Sequence, residues 1–139
     1  NKFEGDGALC VFGVPGHQAD HEARALRAAR ALRTRIAEIA VDHPGLDAGI
    51  GVSAGTVVAG NVGTEERFEY TVIGRAVNEA ARLTELAKQR PSRLLAAAAA
   101  VDAAGPERAH WVDRGRVGIR GQQAPTVVFE PLVAVTTSG

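Results

Sequence analysis

A chain of 139 residues is short enough to be one domain and long enough to bury a core. Its sixteen basic and sixteen acidic residues cancel, so no net field draws it to nucleic acid or to an anionic surface. No stretch has the length and apolarity of a membrane-spanning helix, and the single Cys10 excludes an internal disulfide and fits a reducing compartment. Cys10 sits in an apolar run, where a buried, inert thiol is expected. The chain holds no Met and opens at Asn1 directly in a strand-like motif, which reads as a piece of a longer protein.

In chain order, Lys2 to Phe12 predicts a hairpin: a short strand, a turn near Gly5-Asp6-Gly7, then Ala8 to Phe12. Asp20 suits a helix N-cap with Glu22 in the first turn. The helix runs to about Ala40 with Leu26, Ala29, Leu32, Ile36 and Ile39 as its buried stripe. Arg24, Arg27, Arg30 and Arg35 lie off that stripe and read as a solvated surface rather than an anion-binding face. His43-Pro44-Gly45 ends the helix. His17 and His21 lack further ligands at zinc spacing.

Leu46 to Ser53 predicts a strand and Thr56 to Val62 a second apolar run. Gly49, Gly51, Gly55, Gly60 and Gly63 are too many for ordinary strands. They imply the close approach of another backbone or of a ligand, and tight strand packing is at least as good an account. No Gly-Lys-Ser/Thr closes the segment as a phosphate-binding loop, and no Gly-x-Gly-x-x-Gly opens a helix. Phe68, Tyr70 and Val72 then alternate as a strand, Gly74 breaks the pattern, and the period turns helical from Arg75. Val77, Ala80, Ala81 and Thr84 share one face of that helix. Asn78 and Arg82 stand four apart on the other; taken alone they read first as a solvated polar helix face, and otherwise as an amide and a guanidinium suited to a nucleotide and its phosphates. A brief strand at Arg93 to Ala96, a helix from Ala97 to Ala104 ended by Gly105-Pro106, and strands at Trp111 to Val117 and Thr126 to Val133 complete the reading.

Three segments together are distinctive: Lys2-Phe-Glu-Gly-Asp6 before an apolar run, Thr71-Val-Ile-Gly-Arg-Ala-Val-Asn-Glu-Ala-Ala-Arg82, and the closing Ile119 to Glu130. With the Gly-rich segment Gly49 to Gly63 between them, the chain resembles the catalytic domain of class III adenylyl and guanylyl cyclases, in a bacterial class IIIb-like form. The resemblance implies an α+β fold, a ferredoxin-like nucleotidyl cyclase sandwich over residues 1–135 with a frayed tail at 136–139, lacking the family's first strand and following helices. It implies a lyase that converts ATP to 3′,5′-cyclic AMP and pyrophosphate, acting in signal transduction.

The roles it implies are specific. Asp6 would be one of two aspartates holding a pair of Mg²⁺ or Mn²⁺ ions, the other lying upstream of this chain. Lys2 would read adenine, with Thr71 as a second base contact. Asn78 would orient the ribose, and Arg82 would stabilise the transition state. The sites would form at a homodimer interface, the metal aspartates from one subunit and Lys2, Thr71, Asn78 and Arg82 from the other. These 139 residues by themselves are expected to be inactive and to self-associate, as part of a cytoplasmic domain whose parent could be membrane-anchored. The alternative is a catalytically silent, cyclase-like module for dimerisation or regulation.

Overall fold

The computed structural model describes residues 2–4, 7–10, 12, 20–55, 58–62, 69–119, 121–122 and 124–132, with side chains for 10, 12, 20–55, 74–119, 121–122 and 124–132. Strands β1 (Lys2–Glu4) and β2 (Gly7–Leu9) form the expected hairpin, with Glu4 opposite Gly7. Cys10, just beyond β2, is exposed, so its thiol is not the buried one anticipated. Helix α1 (His21–Asp42) follows, then β3 (Ile50–Val52), shorter than its apolar run. A second hairpin joins β4 (Val58–Val62) to β5 (Glu69–Ile73), which leads through Gly74 into α2 (Arg75–Ala87).

Strand β6 (Leu94–Ala97) runs into a short α3 (Ala98–Asp102). Gly105-Pro106 does not close the alanine helix. Pro106 instead sits in the first turn of a 3-10 helix, Gly105–His110, where its missing N–H costs nothing. Strands β7 (Trp111–Val117) and β8 (Thr126–Pro131) close the described chain.

The main sheet has the order β3-β6-β8-β7; β3 pairs parallel with β6, and the other pairs are antiparallel. All four residues of β6 are fully buried, because both faces of the sheet are covered. Leu94 and Ala96 join Ala23, Leu26 and Ala29 of α1, with Trp111 and Phe129, in one core. Leu95 and Ala97 point the other way and join Leu83 and Ala87 of α2, with Ile119 and Val128, in a second. This is an α+β arrangement with α1 and α2 on opposite faces.

The stripe foreseen on α1 holds only in its first half. Leu26 and Ala29 are buried, but Leu32 is 50% and Ile39 37% exposed. Ile36 lines a groove of about 400 Å³ with Arg33, Leu46, Ile50 and Arg93, on the α1 side of the sheet and away from α2. Asp20 stands at the N-cap of α1 without a side-chain capping bond. Arg30 is not a solvated surface group. Its guanidinium grips the Glu107 carboxylate through two bonds of 2.6 and 2.7 Å, and Trp111 Nε1 donates to the same carboxylate at 3.0 Å. Burial pushes Glu107 up, but the Arg30 fork, the Trp111 indole and the charge of Arg30 and His110 more than offset it, leaving the carboxyl below its ordinary value. The hydrogen bond to Glu107 in turn raises Arg30.

Candidate active site

The site is organised by how α2 lies on β3. A Cβ built on Gly51 would sit 2.5 Å from the amide nitrogen of Thr84 and closer still to the carbonyl oxygen of Ala80. One on Gly49 would run into the Thr84 carbonyl oxygen, and one on Gly55 would meet Ala76 Cβ at 3.2 Å. Gly49 and Gly51 therefore admit another backbone, one of the accounts the number of glycines suggested, and that backbone is α2. The inward face of α2 carries Ala76, Glu79, Ala80, Leu83, Thr84 and Ala87; Ala81, expected on that face, is exposed.

With that face buried, Asn78 and Arg82 are both turned to solvent, four residues apart as the spacing required. Arg82 Nη1 meets Glu85 Oε2 at 3.3 Å, a bond between two exposed side chains that restrains the guanidinium weakly. Gly74 precedes the first turn with φ 155°, a left-handed conformation suited to glycine that lets β5 turn directly into α2. Thr71 lies on β5, paired with Gly60, and Lys2 on β1, paired with Leu9. Asp6 lies outside the described residues. The structure thus brings Asn78 and Arg82 onto one exposed face, while Lys2 and Thr71 are placed by strand register only.

Among the described residues, no three His, Cys, Asp or Glu side chains come together to hold a metal ion.

Residues 2–130 match the sequence profile of the adenylate and guanylate cyclase catalytic domain. The chain belongs to this family. The cyclase domain is 54% identical over 133 residues to the uncharacterized protein Rv1318c of Mycobacterium tuberculosis, covering 95% of this chain and 24% of that one. A second uncharacterized protein of the same organism, Rv1319c, is 52% identical over 132 residues, with 94% and 24% covered. The chain spans about a quarter of the length of these curated relatives. Among solved structures, the adenylyl cyclase CyaB from P. aeruginosa matches with a TM-score of 0.67 at 22% identity, covering 92% of this chain and 68% of that one. The guanylyl cyclase Cya2 matches with a TM-score of 0.59 at 25% identity, covering 91% and 66%. The cyclase domain therefore has the α+β fold of class III cyclases, and its neighbours include enzymes of both nucleotide types. No helix among the described residues is long and apolar enough to cross a membrane.

One feature of the cyclase domain escaped the sequence reading. Glu79, between Asn78 and the buried stripe, turns inward and accepts hydrogen bonds from Ser53 Oγ at 2.5 Å and Gln122 Nε2 at 2.8 Å. The signal was present: Glu79 stands three after Ala76 and four before Leu83, a carboxylate on the stripe that α2 buries.

Proposed function

We propose that the protein carrying this domain is an adenylate cyclase that converts ATP to 3′,5′-cyclic AMP and pyrophosphate. The observation that carries the reading is the pair Asn78 and Arg82, exposed and four apart on the helix that β3 supports, in a chain of the cyclase family. In the proposed reaction the ribose 3′-oxygen attacks the α-phosphorus, losing its proton, while the bond from that phosphorus to the β-phosphate bridging oxygen breaks. Nucleophile and electrophile belong to one molecule, so positioning supplies much of the rate. Asn78 orients the ribose. Arg82 supplies a fixed positive charge and planar donors where charge grows on the phosphate.

Lys2 and Thr71 are proposed to read adenine. The family generally uses divalent metal ions, and Asp6 is the proposed ligand within this chain for Mg²⁺ or Mn²⁺, which would neutralise phosphate charge. A homodimer with two composite sites is the proposed assembly, and residues 1–135 are the proposed extent of the catalytic unit.

The test is a direct assay of the full-length protein with ATP and with GTP, each with Mg²⁺ or Mn²⁺, separating the cyclic products. Cyclic AMP from ATP, lost on chelation of the metal, is the expected result. Cyclic GMP as the main product would overturn the base-reading roles of Lys2 and Thr71. No product from either nucleotide would make the domain a silent dimerisation or regulatory module.

A further inference from the structure

Three segments far apart in the chain converge on one carboxylate. Ser53 follows β3, Glu79 stands on α2, and Gln122 and Thr126 bracket the end of the connection from β7 to β8. Ser53 Oγ donates to Glu79 Oε1 at 2.5 Å and Gln122 Nε2 donates to Oε2 at 2.8 Å. Thr126 Oγ1 lies 3.0 Å from Gln122 Oε1 and 3.4 Å from Glu79 Oε2. Its one hydroxyl proton goes to the nearer oxygen. That bond holds the Gln122 amide so that its NH₂ faces Glu79. No cation pairs with Glu79 among the described residues. A half-buried carboxylate satisfied by one hydroxyl and one amide is costly to keep for stability, since apolar side chains would fill the same space at less cost.

What the carboxylate adds is register. The contact of α2 with Gly49 and Gly51 is backbone on backbone and sets how closely the helix approaches β3. A surface of glycines has no knobs, so it does little to stop the helix sliding or rolling. The bond from Glu79 to Ser53 stops both, being short and directional. The bond to Gln122 ties the same turn of helix to the β7–β8 connection, whose other end is anchored where buried Ile119 joins Leu83 in the core. Asn78 is the residue before Glu79, and Arg82 is three residues after it, so their positions follow any movement of this turn.

We infer that Glu79 is a positioning residue for nucleotide cyclisation: clamped by Ser53 and Gln122, it holds α2 in the register that aims Asn78 and Arg82. The inference rests on the cyclase reading above. It concerns a residue that would not touch the nucleotide, so its signature is a loss of kcat at nearly constant KM. In the full-length protein, Glu79→Ala lowers kcat about tenfold to a hundredfold, as expected for a small misplacement of reacting groups, with KM changed less than about threefold. Glu79→Gln keeps an acceptor for Ser53 Oγ and recovers kcat to within about threefold of the parent value. Gln122→Ala cuts one arm of the clamp from outside every helix and strand and costs about threefold to tenfold in kcat. It keeps the test alive if Glu79→Ala does not fold.

Amide hydrogen exchange on the same proteins is the second readout. Glu79→Ala speeds exchange in residues 75–87 and 118–126 and leaves β6 and β8 protected as before. Parent-like kcat in both Glu79→Ala and Gln122→Ala, or exchange accelerated across the whole domain, overturns the inference while an active parent leaves the cyclase reading standing. A parent inactive with both ATP and GTP overturns the cyclase reading itself, and the positioning role with it.

Discussion

The carbonyl oxygen of Ala80 occupies the space where a side chain on Gly51 would begin. That relationship places α2 against β3 more closely than any side chain would permit, and it decides which face of α2 is left to the solvent. Gly51→Ala sets a methyl group against main-chain atoms, which cannot move aside as a side-chain tip does. The substitution is expected to destabilise the domain by about 3 kcal/mol. Gly45→Ala is the control, because a Cβ at Gly45 meets nothing within 4 Å. Chemical denaturation of both variants checks this; a Gly51→Ala protein as stable as Gly45→Ala would contradict the packing described.

Arg30 and Glu107 make a pH-dependent contribution to stability. The Glu107 carboxyl lies below its ordinary 4.5 in the folded protein. The unfolded chain therefore binds the proton more readily, and stability falls as pH drops from just above that ordinary value down through the folded one. The contribution is fully present at neutral pH. Glu107→Gln should cost about 2–3 kcal/mol at pH 7, less than a wholly buried pair because Arg30 is partly open to water. Denaturation midpoints measured between pH 7 and pH 3 should converge for the two proteins at the acid end. A constant gap across that range would deny the role of the ionised carboxylate.

For Arg82, the prediction is kinetic. Its one described partner, Glu85, is itself exposed, so the guanidinium is available to a phosphate. Arg82→Ala in the full-length protein should lower kcat about a hundredfold with little change in KM, since the contact strengthens only as charge develops. A raised KM at constant kcat would make Arg82 a ground-state binder. Glu85→Ala should shift stability by less than about 0.5 kcal/mol.

Lys2→Glu addresses substrate choice. Both side chains suit a strand position, so folding should survive. ATP turnover should drop at least about tenfold, as expected when a base loses a dedicated polar contact. Rates with ATP and GTP, measured side by side, decide it; unchanged preference would remove Lys2 from the base-reading role.

What the sequence by itself determined is what neighbouring residues encode. The alternation ending at Val72, the break at Gly74 and the helical spacing after Arg75 foretold β5, α2 and the shared exposure of Asn78 and Arg82. Trp111 to Val117 matched β7, and the Gly5-Asp6 turn signal matched the pairing of Glu4 with Gly7. The order of the motifs also disclosed the family. Only the tertiary structure decided which of the open readings of the glycines held, because a Gly accepts a ligand, a strand or a helix equally well until a partner arrives. It alone joined Arg30 to Glu107 across 77 positions, and Glu79 to Ser53 and Gln122 across 26 and 43. It left Leu32 and Ile39 exposed on a stripe drawn for burial. Periodicity shows which side chains share a face; what that face meets depends on chain closure over long separations, which no local window contains.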